Sequence, residues 1–207
     1  MEIFLQELQH IEGDSGLLDF CRKRFLHGVP KMFYKNEDAY YEFRKRIAEK
    51  FNISFHEVYI TGSAKLGFSP LKRKYFDYES DVDVAIISLK LFDRFMETIR
   101  EYQMSLRESR RAVSYKELYM YHGFLEYTAI GWIRPDKLPF SFRVTELRDD
   151  WFEFFKSISY GNSEIGNYKI SAGVFKTYDH FERYTYSGVI LLKKLLDIER
   201  EENDKTV

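Results

Sequence analysis

The chain is short of several things. Its 207 residues include one cysteine, Cys21. A lone cysteine excludes an intrachain disulfide and a cysteine-built zinc site, and it fits a reducing compartment. No apolar run approaches the roughly 18 residues of a membrane span. Charge of either sign is not in excess: 32 Lys and Arg face 33 Asp and Glu, a net −1. Non-specific binding to DNA or RNA needs a basic surface, and bulk charge gives no support for one. The opening residues MEIFLQELQHIEGD carry acids where a signal peptide needs a basic start and an apolar run. A soluble, cytoplasmic protein with no membrane association is the expectation.

Proline is also scarce, at four residues, and no Pro/Ser/Gly-rich linker or internal repeat interrupts the chain. One compact unit is therefore expected. Its parts are an N-terminal helical segment over 1–52, a core over 53–200 with a closing helix, and a charged tail over 201–207. Aromatic residues are plentiful, at 18%, which suits a packed core.

Apolar spacing predicts short helices over 3–11 and 17–27, the second broken by Gly28-Val29-Pro30. Asn36 is placed to cap a helix to about Lys50, with Tyr40, Phe43, Ile47 and Phe51 on one stripe. Further helices are predicted over 89–110, over 114–130 from a Ser114/Glu117 capping box, over 150–159 and over 178–199. Strands are predicted over 57–61, 81–88, 140–145 and 168–177. Pro135 and Pro139 mark a loop. Helices outnumber short, few strands, so the class is α+β.

Ser80 to Ile87 reads SDVDVAII. Val82, Val84 and Ile86 suit a buried strand, yet Asp81 and Asp83 alternate with them. Positions i and i+2 of a strand share a side, so the two carboxylates can converge. A hard divalent cation, Mg²⁺ or Mn²⁺, would relieve their repulsion and leave positions for phosphate. The plain reading makes Asp81 a turn residue and Asp83 an exposed edge residue. Upstream, Val58 to Gly67 reads VYITGSAKLG, a strand running into a Gly-Ser turn. Gly62 lets a phosphate approach the backbone, Ser63 adds a hydroxyl, and a following helical turn points amides at an anion. The same geometry also makes Ser63 a plain helix cap. Gly62 to Ser69 nearly fits a P-loop, but Phe68 stands where its lysine must be, and Pro70 opposes a following helix.

Strand, Gly-Ser turn, loop and Ser-Asp-x-Asp together resemble the polymerase-β-like nucleotidyltransferase superfamily. The resemblance rests on Gly62, Ser63, Asp81 and Asp83 and covers about residues 57–88. It implies a small mixed sheet flanked by several helices. It implies that Gly62 and Ser63 bind the β and γ phosphates of a nucleoside triphosphate, and that Asp81 and Asp83 hold the metal and serve catalysis. The expected reaction transfers a nucleotidyl group to an acceptor hydroxyl on a protein, a small molecule, a second nucleotide or an RNA end. Small prokaryotic members often sit in toxin–antitoxin or phage-defence modules.

Two departures stand out. The loop from Ser63 to Asp81 is long and carries Lys65, Lys72, Arg73 and Lys74. Most of these are expected to balance nearby acids. Lys65, in the first turn after Ser63, is the best candidate for a phosphate contact. Second, the family places a third carboxylate on a later strand, and neither later strand holds Asp or Glu within its alternation. Glu146, Glu164 and Asp179 lie near strand ends, and none is assigned. The missing acid motivates a second expectation: a catalytically impaired subunit that senses a nucleotide or binds a protein partner. A third is a structural module in which the two acids only end a turn.

The five histidines are scattered, without metal-binding spacing, and no G-x-S-x-G occurs. In the loop Gly131 to Pro139, Trp132 is a candidate to stack on a base and Arg134 to meet a phosphate. Trp132 is equally a candidate core residue.

Overall fold

In the computed structural model, residues 1–108, 114–138 and 145–206 are described. Among the described residues, six short segments pair as strands. β1 (Val58–Thr61), β4 (Val82–Ile87), β6 (Ile170–Phe175) and β5 (Trp132–Ile133) lie in that order in one mixed sheet, and β2 (Phe68–Ser69) and β3 (Lys74–Tyr75) form a separate ribbon. β4 runs antiparallel to β1 and parallel to β6, while β5 runs antiparallel to β6. A parallel pair needs a long crossover; here the chain between β4 and β6 supplies helices that cover one face.

That face is the main core. Val82, Val84 and Ile86 of β4 project into it with Val58, Ile60, Ile170 and Val174. Against them pack α3 (Glu37–Phe51), α5 (Leu89–Arg107), α6 (Tyr115–Ala129) and α7 (Thr145–Ser157). Phe43, Ile47 and Phe51 form the apolar stripe of α3, and Phe92, Phe95 and Ile99 that of α5. Caps hold the ends. Asn36 Oδ1 accepts from the Ala39 amide, and Ser114 and Glu117 form the reciprocal capping box at the start of α6.

A second cluster joins α1 (Glu2–Gln9) and α2 (Gly13–Cys21) to the closing helix α8 (Tyr178–Thr206), through Phe4, Leu8, Phe20, Cys21, Val189 and Leu192. Residues 1–52 thus divide between two cores, because α3 joins the main one. Cys21 has no exposure, and its thiol is pushed up to about 12, first by burial and then by Glu182.

The α+β class and the strands near 57–61, 81–88 and 168–177 are present. The strand expected over 140–145 falls mostly on residues outside those described, and Thr145 begins α7 instead. β5 escaped notice because two residues are too few to show a period. No helix among the described residues is long and apolar enough to cross a membrane.

Candidate functional site

The sheet's second face is split. On one half, Ala85 and Phe175 pack against Phe181 at the start of α8. On the other half the same strands turn polar. Pairing of Thr61 with Asp83 brings the end of β1 beside the start of β4. The next residue, Gly62, has φ +64, and a Cβ built there would sit 2.8 Å from Asp83 Oδ2. Glycine is required twice over, by the left-handed backbone and by contact with a carboxylate. The Gly-Ser turn and the Asp-x-Asp run, some twenty residues apart in the chain, therefore meet.

The parallel register of β4 and β6 pairs Asp83 with Ser171 and Val82 with Ile170, which sets Lys169 beside Asp81. The Ser171 hydroxyl donates to Asp83 Oδ1 at 2.7 Å, and Lys169 Nζ donates to Asp81 Oδ2 at 2.8 Å. Asp83 is exposed by surface area yet lies on the floor of a cleft whose walls displace bulk water. That desolvation raises its carboxyl above the usual range; the Ser171 bond opposes the shift and the Asp81 charge adds to it. The pairing with Asp81 raises the Lys169 ammonium.

The cleft has a volume of about 650 Å³ and runs from Gly62 across Asp83 and Ser171 to Arg134, Asp136 and Trp132. Arg134 is held firmly. It pairs with Asp136 at 2.8 Å and lies over the rings of Tyr127 and Trp132 at 5.1 and 5.2 Å. Its charge favours ionised Asp83. Trp132 stacks on Phe175 with centroids 5.1 Å apart and planes 8° apart, and Gly173 makes room for its indole. Stacked on Phe175 and lying under Arg134, Trp132 is a wall of the cleft. A second hollow of about 870 Å³ shares Thr61, Gly62 and Tyr184 with the first and continues past Ser63, Leu71, His180 and Leu191.

Lys65 needs correction. Its helix, α4 (Gly62–Leu66), is a five-residue turn, and it points the side chain away from the cleft. Lys65 is 7% exposed, and Nζ donates to the carbonyls of His27 and Gly28 at 2.6 and 2.5 Å. Burial lowers its ammonium to about 8. Lys65 ties α4 to the turn after α2 and does not reach a phosphate beside Ser63. So short a helix also has little dipole, so any phosphate binding must rest on the Gly62 approach and the Ser63 hydroxyl.

Two of the other loop cations meet acids. Lys74 pairs with Asp77 and Glu79, and Arg73 with Glu199. Glu164 pairs with Arg46, and Asp179 pairs with Arg183 and lines the second hollow. The Glu146 side chain lies outside the described residues. Among the described residues no group of three or more His, Cys, Asp or Glu is placed to hold a metal ion. Sequence reasoning passed over Lys169, Ser171 and Asp136. A signal existed for the first two: Lys169, Ser171 and Gly173, running into β6, repeat the polar-polar-small alternation of Asp81, Asp83 and Ala85, running into β4.

No protein-family model, curated protein or solved structure matches this chain.

Proposed function

We propose that this cleft binds a nucleoside triphosphate with a divalent cation and transfers the nucleotidyl group to an acceptor hydroxyl. The observation that carries the reading is the contact of Gly62 with Asp83. The Gly62 backbone stands directly against Asp83, one of two carboxylates lining the cleft, and the next residue, Ser63, lines the adjoining hollow. As hard oxygen donors on alternate positions, Asp81 and Asp83 suit Mg²⁺ or Mn²⁺, with phosphate and water completing the shell. The cation would supply neutralisation of phosphate charge. Gly62 admits the polyphosphate close to the backbone, Ser63 donates to it, and Arg134 adds a fixed positive charge across the cleft. In the transfer, the acceptor oxygen bonds to the α-phosphorus and the bond to the β-phosphate bridging oxygen breaks. Pyrophosphate leaves and the hydroxyl proton passes to water. Positioning and charge stabilisation carry such a step.

A second reading has its own observation. On β6, the residue beside Asp83 is Ser171, where a third carboxylate would complete the acidic set. On this reading the cleft binds nucleotide and cation without transfer, as a sensor. One experiment separates the two. The protein is melted with ATP, GTP, CTP and UTP, with and without Mg²⁺, and then incubated with the α-labelled form of whichever nucleotide stabilises it. A ligand that binds only the folded chain raises the melting temperature. Transfer predicts a Mg²⁺-dependent rise and label on an acceptor, both lost in Asp81→Ala/Asp83→Ala. Sensing predicts the rise without label. No rise with any nucleotide would overturn both.

A further inference from the structure

Lys169 is the feature of the cleft that the proposed function leaves over. Its backbone is fixed: the Lys169 carbonyl accepts from the Val82 amide at 2.8 Å, the last rung before β6. Its side chain is not fixed. It is 55% exposed and, among the described residues, bonded only at its tip, to Asp81. An exposed ion pair of this kind contributes little to folding, because solvent screens it and ordering a long side chain costs entropy. What Lys169 does change is the charge at the carboxylate pair. The cleft lining holds three carboxylates, Asp81, Asp83 and Asp136, against two cations, Lys169 and Arg134. Arg134 is locked by Asp136 and two aromatic rings, so only Lys169 is free to move.

Resting on the reading of the cleft as a cation and polyphosphate site, we infer that Lys169 is an exchanging counter-charge. Without a metal it occupies Asp81 and screens the two carboxylates from each other. When a divalent cation takes Asp81 and Asp83, the ammonium is released and turns to the polyphosphate, where a flexible four-carbon stem lets it act as a mobile point charge. The lining then carries a net positive charge that suits a polyanion. Metal and lysine compete for Asp81, whereas lysine and metal cooperate on phosphate.

This predicts effects of opposite sign from one substitution. Mn²⁺ binding to the free protein is measured from the paramagnetic resonance of free Mn²⁺. Inorganic tripolyphosphate, which carries no base, is titrated by calorimetry in saturating Mg²⁺. In Lys169→Met, Mn²⁺ should bind about tenfold tighter and tripolyphosphate about tenfold weaker, each the loss of one charge-assisted contact. Lys169→Arg should restore phosphate binding. Asp83→Asn should lose Mn²⁺ binding, which reports on the site itself. Unchanged melting temperatures of the Lys169 variants confirm that the fold is intact. If wild type binds Mn²⁺ and tripolyphosphate but Lys169→Met moves neither, or moves both in one direction, the exchange is wrong and the site stands. If wild type binds neither ligand, the site reading fails and the exchange fails with it.

Discussion

The two faces of the central sheet use the same strands in opposite ways. On one, Val82, Val84 and Ile86 are sealed under α3 and α5. On the other, Asp81, Asp83, Lys169 and Ser171 stand in a cleft that α8 covers only as far as Phe181 and Tyr184. The sealed face gains its free energy from apolar area removed from water, which is tolerant of direction. The open face gains little for folding and depends on register, since a slip of one residue would exchange the faces. Stability and chemistry are therefore separable here, and substitutions should divide accordingly.

The largest effect belongs to the sealed face. Phe95 is fully buried against Trp151; Phe95→Ala should cost about 3–5 kcal/mol, as lost transfer energy plus a cavity, measured by urea unfolding. A cost under 1 kcal/mol would mean that α5 is not docked as described.

Next comes Lys65, the buried cation. Lys65→Met leaves the carbonyls of His27 and Gly28 without a donor and should cost about 1–3 kcal/mol. The pH dependence is the sharper test. The folded-state value of about 8 lies below the ordinary 10.5, so the folded chain binds fewer protons between them. Stability from this group must rise as pH climbs through that window. Wild type should gain on Lys65→Met from pH 8 to pH 10, and a parallel pair of curves would show the lysine to be solvated.

Gly62 ties backbone conformation to the open face. Gly62→Ala puts a methyl group in a left-handed backbone and against Asp83 Oδ2. It should cost about 1–2 kcal/mol and abolish Mg²⁺-dependent nucleotide binding, read by thermal shift and by label transfer.

The smallest effect on stability is expected at the open face. Desolvation in the cleft raises the Asp83 carboxyl, so stability from this group falls as pH climbs from the ordinary carboxylate value to the raised one, and the full penalty holds above it. Asp83→Asn keeps an acceptor for Ser171 and should leave the melting temperature at pH 7 unchanged or higher. Its Mn²⁺ binding should vanish. A marked fall in melting temperature would make Asp83 a structural residue and would blur the division between the faces.

Local rules made much of this legible. The Asn36 cap, the Ser114/Glu117 box, the apolar stripes of α3 and α5 and the alternation of β4 all act within a few residues, so they can be read off the chain. The candidate site was half legible. Gly62 and the two aspartates announce themselves by breaking strand and turn preferences. Lys65 misled because nearness in sequence to Ser63 says nothing about which way a side chain leaves a short helix; burial against the His27–Gly28 turn decided that. Arg134 was visible only as a candidate, and Asp136 not at all.

By itself, then, the sequence determined that β4 would have one apolar and one acidic side, that a turn needing glycine would follow β1, and where α3, α5, α6 and α8 begin. Alternation, backbone sterics and capping are properties of neighbouring residues. Only the tertiary structure decided that Gly62 would touch Asp83, that Lys65 would be spent on two carbonyls, and that Lys169, 88 residues away, would meet Asp81. The Lys65 contact depends on how α4 packs on the His27–Gly28 turn; the other two depend on strand register, which is set jointly by every residue that packs between the sheet and its helices.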